Sequence, residues 1–388
     1  MKRLVAWMSL GLAWIALAGT PALAGEPIKI GVIQPLTGAT AFEGNAVVNG
    51  IKMAMEEWNA SGMLGGGRTI ELVVEDGQCV PPKSVSAAEK LIVRDKVVGL
   101  LGAFCSSSTA AVMPVAKQYK IPHITGVSTS PALTEQGNEW FFRAQATSAL
   151  MAKAFGPILV KEVGVKKAAF LVVNDDFGRA VVKEFGDAIK AAGAQVVATE
   201  IYDRKETDLS SYLTKLRSLG VDSVGTAAYA SHGIAMAKQA KEVGLKATIF
   251  GEGAWTTEAF FKGADAELRP GQARNSDNIY GIVEYVYTVN NPLNNGFVKK
   301  YVERHGENPS KYSAAGWVIM SIMADAIKRA GKAEPAAIRD ALEKTDFTGF
   351  TGTYRFNDKH QAYNFDVYLT KNEGGKPNVF KASKIEKP

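Results

Sequence analysis

Histidine and cysteine are scarce in this chain, four and two among 388 residues. The histidines, His123, His232, His305 and His360, lie far apart. Their spacing gives a metal centre little support, and no metal or cofactor is expected. Enzyme signatures are missing too. There is no G-x-S-x-G, G-x-x-x-x-G-K-[ST], H-E-x-x-H or G-x-G-x-x-G, so no catalytic residue is expected. Charge does not come in blocks: 45 Lys and Arg and 39 Asp and Glu are scattered along the chain. A nucleic-acid partner therefore has no support. Beyond residue 24, no apolar run is long enough to cross a membrane.

The first residues stand apart. Lys2 and Arg3 precede an apolar run from Leu4 to Ala18, Pro21 breaks it, and Ala22-Leu23-Ala24 offers small residues for cleavage. That is the pattern of a secretory signal peptide over residues 1–24, leaving a mature chain from Gly25. Loss of Lys2 and Arg3 lowers the formal net charge from +6 to +4. An exported protein meets an oxidising compartment, where an even cysteine count favours a bridge between Cys79 and Cys105. Two free thiols are the alternative. A bridge closing this loop would contribute about 3.5 kcal/mol on the chain-entropy model.

What is present is a regular alternation of strands and helices. The length suits two domains. Ile28–Pro35, Thr69–Glu75, Val97–Leu101 and Ile121–Thr125 read as strands. Helices lie between them, one ending near Asn59 with Val47, Ile51, Ala54, Met55 and Trp58 on one face. This order predicts a parallel sheet with helices on both faces. A second run begins after Thr147. Its strands are Ala168–Val173, Gln195–Ile201, Asp222–Ala228 and Thr248–Phe250, again separated by helices. The remainder holds helices at Phe297–His305, Ser313–Ala330 and Ala336–Thr345, then a hairpin-like pair, Tyr354–Phe356 and Phe365–Leu369. The expectation is an α/β protein of two doubly wound parallel-sheet lobes.

Ligands of such sheets sit outside the carboxyl ends of the strands. Gly102–Thr134 carries two clusters of small hydroxyl residues at successive strand ends. Ser106 and Thr129 supply hydroxyls, and the free N–H groups of the helix after Ser106 suit a carboxylate. In the second lobe Glu252 stands between Gly251 and Gly253 just after a strand. A surface turn carboxylate is the competing reading. His232 begins a helix near a strand end and is a weaker candidate for ligand contact, and His123 reads as a packed strand residue.

These pieces resemble the leucine/isoleucine/valine-type periplasmic solute-binding proteins of ABC importers over essentially the whole mature chain. The specific matches are Ile30–Gly38, Asp76-Gly-Gln-Cys79, Cys105-Ser-Ser-Ser-Thr109, Thr125–Thr134 and Gly251-Glu-Gly253. The resemblance implies a type I periplasmic binding fold: lobes of 25–147 plus 288–365 and of 148–287 plus 366–388, joined by three hinge crossings. It also implies a Cys79–Cys105 disulfide. By the same token Ser106 binds a ligand carboxylate, Val127, Ser128 and Thr129 offer backbone and hydroxyl groups, Glu252 pairs with an ammonium, and Tyr229 closes over the ligand backbone. Where the family often has tyrosines this chain has Phe42 and Phe177, and Trp255 stands where smaller residues are common, so these three bear on the ligand side chain.

The implied function is capture of a small amino acid, neutral and branched-chain or otherwise apolar, for delivery to a membrane permease. The protein would be periplasmic, monomeric and without catalytic activity. An aromatic or other small carboxylate or amide, or a sensory role, is the alternative. A zwitterion removed from water needs charge-assisted bonds at both ends. Hydroxyls and N–H groups from one lobe and a carboxylate from the other would supply them, so ligand would favour closure.

Overall fold

The computed structural model describes residues 26–387, so the signal-peptide expectation lies outside the described residues. The first lobe alternates strictly at its start. Its elements are β1 (Ile28–Gln34), α1 (Ala41–Ser61), β2 (Ile70–Asp76), α2 (Pro81–Glu89), β3 (Leu100–Gly102), α3 (Ser106–Tyr119), β4 (His123–Thr125), α4 (Ala132–Glu135) and β5 (Phe141–Arg143). The five strands are parallel in the order β2-β1-β3-β4-β5. Order reverses between β1 and β3, and such a switch point opens a crevice at the strand ends. The structure moves the strand expected at Val97–Leu101 forward to Leu100–Gly102 and begins α3 at Ser106. It also adds β5, whose three residues are too few to show alternation.

The second lobe continues with α5 (Ser148–Ile158), β6 (Lys167–Val173), α6 (Asp176–Ala191), β7 (Gln195–Tyr202), α7 (Ser210–Ser218) and β8 (Ser223–Ala228). Then come α8 (Ala230–Glu242), β9 (Thr248–Gly253), α9 (Glu258–Asp265) and β10 (Ile279–Val283). Strands β7-β6-β8-β9-β10 are parallel, with the switch between β6 and β8. Strands β6 and β8 are buried almost throughout, as expected of strands covered on both faces.

Three helices follow, α10 (Pro292–His305), α11 (Lys311–Ala330) and α12 (Pro335–Glu343). They return to the first lobe. Lys300 pairs with Glu57 of α1 at 2.7 Å, and Trp317 Nε1 donates to the same carboxylate at 2.9 Å. Helices α1 and α11 touch backbone to backbone, because a side chain at Gly50 would collide with Ser313 O and one at Gly316 with Val47 O. This contact fixes the start of α11, where the site begins.

The chain ends in β11 (Phe347–Gly349), β12 (Gly352–Phe356), β13 (Ala362–Glu373) and β14 (Lys376–Ile385). All are antiparallel additions to the second sheet beside β10. The β12–β13 hairpin also touches the first sheet, where Gln361 bridges Arg143 of β5. Residues 347–356, assigned from sequence to the first lobe, are thus hydrogen-bonded to the second sheet's strands. The chain passes between the sheets after β5, after β10 and after α12.

Candidate functional site

The carboxyl ends of β3 and β4 face those of β6, β8 and β9 across an interlobe cavity of about 30 Å³. Phe104, Cys105, Ser106 and Val127–Thr129 line it from the first lobe. Phe177, Tyr229, Glu252 and Gly253 line it from the second, and Lys311 and Tyr312 close one side. The volume is near that of one or two waters.

The first-lobe wall is a cradle of donors. Cys105 is the extended N-cap of α3, so the first N–H groups of a 14-residue helix point at the cleft. Ser106 is buried, and its Oγ accepts from Ser130 N at 3.3 Å. Thr129 Oγ1 bonds Ser148 Oγ at 3.0 Å. Ser128 lines the cavity, but its hydroxyl is engaged with Phe104 O at 2.9 Å and Thr109 Oγ1 at 2.7 Å. It braces the loop, leaving its backbone to line the cavity.

Glu252 is the focal group of the second lobe. It is 1% exposed, and Oε1 has no hydrogen-bond partner among the described residues. Gly251 and Gly253 on either side have φ of 154° and 135°, and a side chain at either would strike the carbonyl of Thr226 or Ala228 on β8. The Gly-Glu-Gly run therefore lets β9 lie close against β8 while the carboxylate turns into the cavity. Burial, then the Glu284 carboxylate, pushes the Glu252 carboxyl from 4.5 up to about 8. Lys311 and the hydroxyls of Ser148 and Thr129 pull the other way. A buried carboxylate oxygen without a donor is costly, and a cationic donor placed beside it relieves the cost.

The lobes are clasped beside the cavity. Cys79 and Cys105 form a disulfide with Cα atoms 5.5 Å apart. Tyr229 Oη meets Cys105 Sγ at 3.2 Å and donates to Asp175 Oδ2 at 2.8 Å. Arg204 pairs with the same Asp175 oxygen at 2.7 Å and reaches across to Cys79 O at 2.7 Å. A second clasp is Glu43 on α1. It is fully buried, and Oε1 accepts from Ala230 N, the first residue of α8, at 2.7 Å. That places a carboxylate on a helix N-terminus. Burial raises the Glu43 carboxyl above its usual range despite this bond.

Behind the cradle lies Arg143, which is fully buried. Its guanidinium donates to Ser130 O, to Thr134 Oγ1 and, at 2.7 Å, to Gln361 Oε1. Gln361 in turn donates to Gln145 O, and Gln145 Nε2 donates to Glu284 at 2.6 Å. One polar chain thus runs from the cradle loop through the hinge hairpin to the acid beside Glu252.

Several expectations need correction. Trp255 does not line the cavity. It is fully buried in the second-lobe core, edge-on to Phe260 at 5.3 Å, with Nε1 donating to Glu252 O at 3.3 Å. Phe42 is half-buried outside the lining. One residue along a helix is a turn of roughly 100°, and it is Glu43 that points inward. His232 bonds Arg204 O at 2.9 Å and is likewise outside the lining. Ser106, Val127, Ser128, Thr129, Phe177, Tyr229 and Glu252 do converge. Sequence reasoning missed Lys311, Tyr312, Ser148, Glu43, Glu284 and the Asp175–Arg204 pair. The Asn174-Asp-Asp176 strand end held a signal for Asp175; Lys311 sits at an ordinary helix start and gave none.

The leucine-, isoleucine-, valine-, threonine-, and alanine-binding protein of Pseudomonas aeruginosa is 26% identical over 369 residues, 94% of this chain and 96% of that one. The solved branched-chain amino acid transporter substrate binding protein LivJ of Streptococcus pneumoniae, in complex with isoleucine, is 26% identical. It has a TM-score of 0.83 over 93% of this chain and 100% of that one. A solute binding protein of an R. palustris ABC transporter, in complex with benzoate, shares the fold at a TM-score of 0.82 and 22% identity, over 92% and 97% of the two chains. With the parallel strands of two sheets facing across a donor-lined cleft, and the family model for periplasmic binding protein matching residues 27–376, the chain belongs to the periplasmic binding protein family.

Proposed function

We propose that this protein is the exported solute-binding component of an ABC importer and that its solute is a small α-amino acid with a neutral side chain. The observation that carries the ligand class is Glu252 Oε1, a fully buried carboxyl oxygen in the interlobe cavity that has no donor among the described residues. An α-ammonium supplies that donor. The opposite wall, with Ser106, Thr129 and the α3 N-terminus, suits the α-carboxylate. Phe104, Val127, Phe177, Tyr229 and Tyr312 make the remaining wall largely apolar. An aromatic acid without an amine brings no cation to the buried Glu252, and this favours the amino acid over that alternative. The related proteins named for branched-chain amino acids agree with the reading. The protein itself carries out no chemistry, and its closed form is what the permease receives.

A thermal-shift screen tests this. Neutral α-amino acids should raise the melting temperature, and the same carbon skeletons without the amine should not. Ligand at a hundred times its dissociation constant adds about 2.7 kcal/mol. Stabilisation by benzoate or another amine-free acid alone would overturn the reading.

A further inference from the structure

The cavity holds one more charged group that the α-amino and α-carboxyl ends leave unused. Lys311, the first residue of α11, is over nine-tenths buried. Its ion partner is Glu284, with Nζ to Oε2 at 3.6 Å, longer than a hydrogen bond. Its ammonium lies 5.3 Å from the Tyr312 ring centroid. Lys311 lines the main cavity and also a second one of about 20 Å³, which Gln145, Glu284 and Thr351 share. It therefore stands where a ligand side chain would pass from one space to the other.

Resting on the amino-acid reading, we propose that Lys311 is a specificity-determining residue that donates to an acceptor on the ligand side chain, a hydroxyl or amide oxygen. A buried ammonium whose ion pair among the described residues is a long one gains from a close acceptor, whereas an aliphatic side chain would cover it and offer none. A side-chain carboxylate fits less well, because the acids Glu252 and Glu284 already share these cavities with Lys311. A neutral dipole meets the ammonium without adding a further acid to this cluster. The plain alternative is that Lys311 serves only as counter-ion to these acids.

Threonine and valine, nearly equal in shape, separate the two. Calorimetry on the wild-type protein should show threonine binding about tenfold or more tighter than valine, and asparagine tighter than leucine. In Lys311→Met the threonine-to-valine ratio should fall to near one. A pure counter-ion would weaken both ligands alike and leave the ratio unchanged, which overturns the proposal. Valine equal to or tighter than threonine in the wild type overturns it as well, and needs no variant to fold. If no α-amino acid binds, the amino-acid reading falls and takes this proposal with it; if amino acids bind in the wrong order, only the proposal falls.

Discussion

Arg204 of the second lobe donates to the carbonyl oxygen of Cys79 in the first, at 2.7 Å. The same guanidinium is paired with Asp175, which receives the Tyr229 hydroxyl. A cavity-lining tyrosine and an interlobe bond thus share one carboxylate. In this arrangement of the lobes the cavity wall and the clasp are complete together.

Removing that clasp should weaken ligand binding without unfolding the protein. Arg204 is partly exposed, so its bond to Cys79 is worth about 1 kcal/mol, below the usual charge-assisted range. Contacts made only in the closed form enter the apparent affinity in full. Arg204→Met should therefore bind amino acids about fivefold more weakly. Calorimetry measures this; an unchanged affinity would remove the clasp from the account.

The disulfide anchors the first-lobe side of the same contact. The double variant Cys79→Ser, Cys105→Ser should lose about 2–4 kcal/mol of stability and melt several degrees lower. Denaturant unfolding of both forms checks it. Equal midpoints and slopes would show that the bridge does not stabilise the fold.

Ligand binding should release a proton near neutral pH. The folded-state pKa of Glu252, about 8, lies above its usual 4.5. Between those values the ligand-free folded chain holds a proton that the unfolded chain has released, so this group's contribution to stability is present at low pH and lost as pH rises toward 8. An ammonium partner favours the ionised carboxylate. Binding at pH 7 should therefore release close to one proton, and affinity should rise up to about tenfold per pH unit below 8. Calorimetry in buffers of different ionisation enthalpy reads the proton directly. Heats independent of buffer would contradict it.

Much of the fold was legible because its signals are local. Apolar strands ending in small residues, and helices with one apolar face, are written residue by residue. The cradle was legible for the same reason: Ser106 and Thr129 follow their strands within a few positions. Lys311 and Glu284 were not, since their meeting with Glu252 depends on α11 crossing α1 at Gly50 and Gly316. Trp255 was misjudged because being next to a site residue in sequence does not fix the direction of a side chain. Glu43 and Phe42 show the same on a helix.

Arg143 joins the cradle to the hinge, and among the described residues no carboxylate is one of its hydrogen-bond partners. Burial lowers its pKa to about 9, still above neutral, so it is charged and held by oxygens alone. Arg143→Met would leave several buried acceptors unpaired, at about 1–3 kcal/mol each. A clear fall in melting temperature together with weaker binding is expected, with Arg143→Lys intermediate because it lacks the planar fork. A Met variant that melts and binds as wild type would refute the coupling.

The most direct measurement is calorimetry of an α-amino acid on wild type and Glu252→Gln, with circular dichroism as the folding control. The glutamine keeps size and a carbonyl oxygen but not the charge. Losing one partner of a buried charge pair costs about 2–5 kcal/mol, which is roughly thirtyfold to several thousandfold in affinity. A loss in that range, with proton release abolished, is the predicted result. A Glu252→Gln protein that folds and binds the amino acid within about threefold of wild type would contradict the account.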